Sequence, residues 1–223
     1  MVLRFFRSEP GDRLEDIEAR LLGMLSDDRH SFDIASGALL SGADPAVVGP
    51  DLRETDHRVN EAERLIRREL VVHASVHGSI DVPAVLVYMS IVKDVERIGD
   101  YAKNIYDIAA DGADLSGDDD HDDLIALRDE ISQLIAEVAE VFRRRDAERA
   151  RALLSRCDQL QDDLDEMVST LVTSESIARY AVPRALFFRH CKRVIAHLMN
   201  VLSAVVMPVD QLDYFDEDPD DRT

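Results

Sequence analysis

The sequence predicts an all-α protein: six helices arranged as two tandem three-helix bundles, with no β-sheet. Three observations predict it. Apolar residues recur every three to four positions through almost all of the 223 residues, the spacing of one face of an α-helix. No stretch alternates apolar and polar residues as a half-buried strand would. The second half of the chain repeats the first, weakly but in order.

Leu14, Ile17, Leu21, Met24, Phe32, Ala35 and Leu39 form the apolar stripe of a first helix, which Gly42 ends. A second helix follows Asp44-Pro45, with a restart expected at Gly49-Pro50. It carries Leu52, Val59, Ala62, Ile66 and Leu70 inward and stops at Gly78. Asp81 then stands as an N-cap with Pro83 in the first turn of a third helix. That helix turns Tyr88, Ile91, Val95, Ile98, Ala102, Ile105 and Ala109 to the core. An Asp-rich connection, DGADLSGDDDHDD, follows and reads as a solvated linker. Three more helices are expected over Leu124–Arg144, Ala147–Leu171 and Pro183–Val209.

The repeat is visible residue by residue. DPAVVGPDLRETDHRVNEAE, from Asp44, lies without gaps on DAERARALLSRCDQLQDDLD, from Asp146. This places Asp56, Asn60 and Glu63 on Asp158, Asp162 and Asp165. Val82-Pro83 recurs as Val182-Pro183, and KDVERIGDYAKNI, from Lys93, matches RHCKRVIAHLMNV, from Arg189. The expected division is therefore 1–112 for the first repeat, 113–123 for the acidic linker, 124–210 for the second, degenerate repeat and 211–223 for a disordered acidic tail.

Composition narrows the function. Apolar residues at 46%, with 9 Gly and 7 Pro, describe a globular chain. The net charge of −20 disfavours a phosphate backbone, so nucleic acid is not an expected partner. The basic residues are mostly Arg, with Lys only at positions 93, 103 and 192; a salt-rich cytoplasm and a GC-rich genome both fit this. Two unclustered cysteines, Cys157 and Cys191, suit a reducing cytosol. The N-terminal residues lack a signal-peptide core, and the apolar run Val82 to Val92 is too short to span a bilayer. A cytoplasmic protein is expected.

The stretch VKDVERIGDYAKNIYDIA raises the functional question. Glu96, Asp100 and Asn104 lie one turn apart on one helix face, beside the core stripe. Like charges at this spacing repel by about 0.2–0.5 kcal/mol. Asp56, Asn60 and Glu63 flank the core stripe of the second helix in the same way. Antiparallel neighbours would bring the two acidic stripes together, and oxygen ligands from two helices suit a divalent cation. Gly99, between Glu96 and Asp100, is unfavourable in a helix by up to about 1 kcal/mol relative to Ala, which points to something packed close against it. The plain alternative is a solvated, charge-laced face, with Arg97 pairing with Asp94 and Asp100, and Lys103 with Asp100 or Asp107.

KDVERIGDYAKNI resembles the signature of the PhoU-type phosphate-signalling proteins, whose third helix carries an acidic ExxxD motif followed by an Asn-Ile pair. DHRVNEAE is similar to the family's second-helix pattern. The resemblance implies two three-helix bundles. It also implies a multinuclear metal centre, often iron or zinc, with Glu96 and Asp100 as ligands and Asp56 and Glu63 as their partners. Iron, zinc, magnesium and manganese all remain open for such a site. It further implies an adaptor that represses the phosphate-starvation response, a negative regulator acting through a membrane sensor histidine kinase and restraining a membrane phosphate transporter. A homodimer is compatible with this. The second repeat departs from the pattern, with Lys192 and Ala196 where the motif has Glu and Asp, so its metal site is expected to be lost. A partner different from the family's usual one, such as a sodium- or proton-coupled phosphate carrier, is compatible with that departure. The competing reading is a metal-storing or metal-sensing helical protein without a phosphate role; a metal-free helical scaffold is a third.

Other constellations carry less. His73, His77 and Asp81 are spaced to clamp zinc, although such a pair is more often surface decoration. Glu54 and His57 form one ExxH, and a di-iron site needs a second. Cys157 and Cys191 fall on core positions and are expected to be inert. No nucleophile has a convincing base, so no catalysis is expected.

Overall fold

The computed structural model describes residues 13–77, 81–117 and 119–213. Six helices follow one another: α1 (Arg13–Leu40), α2 (Pro45–His77), α3 (Val82–Ala110), α4 (His121–Arg144), α5 (Ala147–Thr173) and α6 (Ala178–Val206). A single 3-10 turn at Val209–Gln211 comes after them, and no strand forms among the described residues.

Side-chain pairs fix the helix directions. Arg20 meets Glu69 and Arg58 meets Asp27, so α1 and α2 run antiparallel. Lys103 reaches Asp56 while Asp81 reaches His73, which sets α2 antiparallel to α3. In the second half Arg149 with Glu137 and Arg156 with Glu130 set α4 against α5. Gln161 with Met199 sets α5 against α6. Each half is thus an up-down-up bundle. The halves join along α3 and α6: Asp94 meets His197 and Asn200, while Tyr101, two turns further along α3, lies beside His190 and His197. Those two helices are therefore antiparallel, as are α1 and α4, where Glu18 meets Arg145 and Arg29 meets Ser132.

One continuous core runs through both bundles, from Ile17, Phe32 and Ile66 to Ile98, Phe142, Cys191 and Leu198. The predicted apolar stripe of α3 is buried from Val87 to Ile105. Truncating a fully buried side chain such as Phe32 removes about 3–5 kcal/mol from a core of this kind. Cys157 and Cys191 are free and buried; burial pushes the Cys157 thiol up to about 12 and raises that of Cys191 further.

Several boundaries differ from the sequence reading, each for a local reason. α2 does not restart at Gly49-Pro50 but runs through Pro50. The Tyr106 hydroxyl closes over Gly49, where a Cβ would stand 2.4 Å from it, and donates to the Pro45 carbonyl at 2.9 Å. α6 starts five residues before Pro183. Asp81 takes the N-cap position of α3, but its carboxylate bonds His73 instead of the helix N-terminus. The Asp-rich connection is not wholly solvated: Leu115 is buried and bonds Leu39 through its backbone, and His121 donates to the Leu40 carbonyl. Asp120 also takes two bonds from the buried Arg184 guanidinium, at 2.6 and 2.8 Å. Leu212, at the start of the expected tail, packs into the core; residues 214–223 lie outside the described residues. Among the described residues no helix is long and apolar enough to cross a membrane.

Candidate functional site

The polar stripe of α3 faces α2 as its register required. Lys103 stretches between the helices, its Nζ 2.6 Å from Asp56 Oδ1 and 2.8 Å from Asp100 Oδ1. Arg97 takes the other oxygen of Asp100 at 2.8 Å and lies 3.7 Å from Glu96. Glu63 turns along its own helix to Arg67 at 2.7 Å. Asn104 lines a cavity of about 570 Å³ between α2 and α3, with Asp100, Lys103 and Tyr106. The carboxylate repulsion is thus relieved by two cations of the same helix. Arg97 bonds Asp100 and lies in ion-pair range of Glu96, and does not pair with Asp94, whose carboxylate points the other way, to α6.

Burial first, and then Asp100, raise the Glu96 carboxyl to about 7 against the opposing pull of Arg97. Burial lowers the Lys103 ammonium, but its bonds to Asp100 and Asp56 outweigh this and leave it raised. Glu96 is therefore an acid near its midpoint at neutral pH, within an otherwise paired set.

A residue that the sequence reading passed over lies beneath this stripe. Asp28 of α1 has no exposed surface, and among the described residues neither of its carboxylate oxygens has a hydrogen-bond partner. It sits on Gly99, where a Cβ would stand 2.6 Å from Asp28 Oδ1. This is the close packing that Gly99 implied. Burial, followed by the negative charges of Asp27, Glu96, Asp100 and Asp56, raises the Asp28 carboxyl well above the usual carboxylate range. Burying a carboxylate without a partner is expensive, so the position needs a proton or a cation. Its signal was in the sequence: Asp28 occupies the gap in the α1 stripe between Met24 and Phe32.

A buried carboxyl without partners and a glycine cradle beside it are what a cation-holding junction would offer, and the donors are all hard oxygens. As the side chains stand, no three Asp, Glu, His or Cys groups among the described residues are placed to hold a metal ion. Lys103 and Arg97 hold Asp56 and Asp100 instead. In the second repeat Lys192, at the Glu96 position, pairs with Asp165, and Asp158, Asp162 and Asp165 are all exposed. The other zinc candidate is only partly described: His73 is buried with its Nε2 2.9 Å from Asp81, and the His77 side chain lies outside the described residues. Glu54 pairs with Arg58 and His57 with Glu61, both on the surface.

The family model of the PhoU domain matches residues 29–109, from the turn after Asp28 to the last turn of α3. This stretch is similar to the PhoU domain. The fold of the whole chain is that of solved PhoU structures. PhoU from Pseudomonas aeruginosa is 23% identical, with a TM-score of 0.68 over 86% of this chain and 94% of that one. The phosphate transport system regulatory protein PhoU from Streptococcus pneumoniae is 16% identical, with a TM-score of 0.75 over 86% of this chain and 92% of that one. At these identities the likeness is one of fold. No curated protein matches the chain. The matched stretch carries Asp56, Glu63, Glu96, Asp100 and Asn104, and Asp28 stands at its edge.

Proposed function

We propose that the chain is a PhoU-type regulator of phosphate uptake and phosphate-starvation signalling. It works by protein–protein contact in the cytoplasm, as a negative regulator docking on a membrane phosphate transporter, a sensor histidine kinase or both. The PhoU domain over residues 29–109, with its acidic third-helix stripe, carries this reading. Its role is regulatory and not catalytic. The test is a deletion strain grown with ample phosphate and carrying a phosphate-starvation reporter. Derepression in the deletion strain, reversed by the intact gene, is the expected result; a reporter indifferent to the deletion contradicts the proposal.

One observation favours a second reading, a metal-binding protein: the partnerless carboxylate of Asp28. Asp28, Glu96 and Asp100 would hold an iron, zinc, magnesium or manganese ion. Asp56 would join them once freed from Lys103, with Glu63 and Asn104 beyond. The ion would supply the positive charge that Asp28 lacks and tie α1 to α3. Elemental analysis of the purified chain and of Glu96→Ala/Asp100→Ala decides it. Metal present in the first and absent from the second is expected on this reading, and equal content contradicts it.

A further inference from the structure

A groove of about 1160 Å³ opens between the end of α3, the connection after it and the first turns of α6. Its two walls differ in kind. One is apolar: Ile177, Tyr180, Val182 and Leu186 line it and are 71, 39, 52 and 42% exposed. Four large apolar side chains together in solvent mark a contact surface, whereas single ones would mean nothing. The other wall is acidic, built from Asp107 and Asp111, one turn apart, and Asp114. Among the described residues none of these three carboxylates makes an ion pair. The Ser116 side chain, and then the Ser116 amide at 2.9 Å, lower the Asp114 carboxyl below the usual range and keep it ionised. Arg179 and His190 complete the rim.

We propose that this groove seats an amphipathic, basic helix of a partner protein. The apolar wall asks for an apolar stripe, and the facing carboxylates ask for Lys or Arg along its flank. Other occupants meet only one of the two demands. An anionic lipid surface or a nucleic acid would bring negative charge onto three unpaired carboxylates. A second copy of this chain would bring −20 against −20. The groove also exceeds the roughly 300–1,000 Å³ of a typical small-ligand pocket. Val82 and Leu86 of α3 are likewise exposed. The groove deepens the adaptor reading, on which the identity of the natural occupant rests.

The test uses the full chain and a fluorescein-labelled synthetic helix of Leu and Lys with all its Leu on one face. A scrambled peptide of the same composition is the control. Anisotropy should show binding of the amphipathic peptide and not of the scrambled one. Val182→Asp/Leu186→Asp should lower the affinity by about tenfold or more. Asp111→Asn/Asp114→Asn should lower it less and flatten its salt dependence. Val76→Asp, at an exposed position of α2 outside the groove, should leave it unchanged. Because all the substituted side chains are exposed, circular dichroism should show each variant folded. Equal binding by the Val182→Asp/Leu186→Asp variant and the unchanged chain overturns the proposal. So does a dimer that only this variant dissociates, or binding to phosphatidylserine vesicles that only this variant loses. A starvation reporter indifferent to gene deletion, with peptide binding as expected, would sink the adaptor reading and spare the groove. The reverse pair of results would sink the groove and spare the adaptor.

Discussion

Both halves of the molecule bury charged residues, and two of these, Arg184 and Asp28, are treated in opposite ways. In the second half Arg184, 1% exposed, donates twice to Asp120, bonds the Tyr180 carbonyl and stacks on the Tyr180 ring. In the first half Asp28, with no exposed surface, has no hydrogen-bond partner among the described residues, and Asp27, Glu96, Asp100 and Asp56 surround it with negative charge. A buried ion bonded on all sides pins two segments together. A buried acid left without partners holds a place for something else, a proton or a cation. The exposed positions show the same divide: Lys192 simply pairs with Asp165, whereas Lys103 must serve Asp56 and Asp100 together. The two halves share one fold, and the Lys103-bridged acidic junction lies in the first of them.

The largest expected effect breaks the satisfied side of this comparison. Arg184→Met leaves Asp120 without its guanidinium and frees the connection from α6, and it should lower the unfolding free energy by about 3–5 kcal/mol in urea. The next sharpens the unsatisfied side. Gly99→Ala should destabilise by about 1–3 kcal/mol, because its Cβ meets Asp28 in a packed interior. In an Asp28→Ala background the same substitution should stabilise by up to about 1 kcal/mol, through helix propensity alone. Additive effects in that double-mutant cycle would refute the contact.

The pH dependence follows from the raised carboxyls. The folded chain holds the Asp28 and Glu96 protons more tightly than the unfolded chain. Their contribution to stability is therefore full below the unfolded values and is lost as pH rises towards the folded ones. For Glu96 that window runs from 4.5 to about 7. Asp28→Asn should gain on the unchanged chain by about 1 kcal/mol per pH unit as pH rises above the usual carboxylate range, and Glu96→Gln should flatten part of the same slope. Parallel stability curves would show that neither carboxyl is perturbed. The smallest effect belongs to the second repeat: Lys192→Ala removes a surface pair and should shift stability by no more than about 0.5 kcal/mol.

The fold was legible because the apolar stripes of the first three helices are long and the second half repeats the first, and the α3 register placed Glu96 and Asp100 against Asp56 before any coordinates. Asp28 was harder to see because a single acid in an apolar stripe looks like the polar face of the next turn. The pairing of Asp94 with His197 and Asn200 lies between helices distant in sequence, and no local pattern announces it. The grip on the Asp-rich connection was hidden for a similar reason: Arg184 stands 64 residues from Asp120.

The most direct test of the central claim, that function resides in the acidic junction of the first repeat, is a starvation reporter read in phosphate-replete cells. The deletion strain would carry either Glu96→Gln/Asp100→Asn or Lys192→Ala/Asp165→Asn at equal protein level. Derepression by the first pair and full repression by the second is the predicted result. Full repression by both, or derepression by the second pair alone, would contradict it.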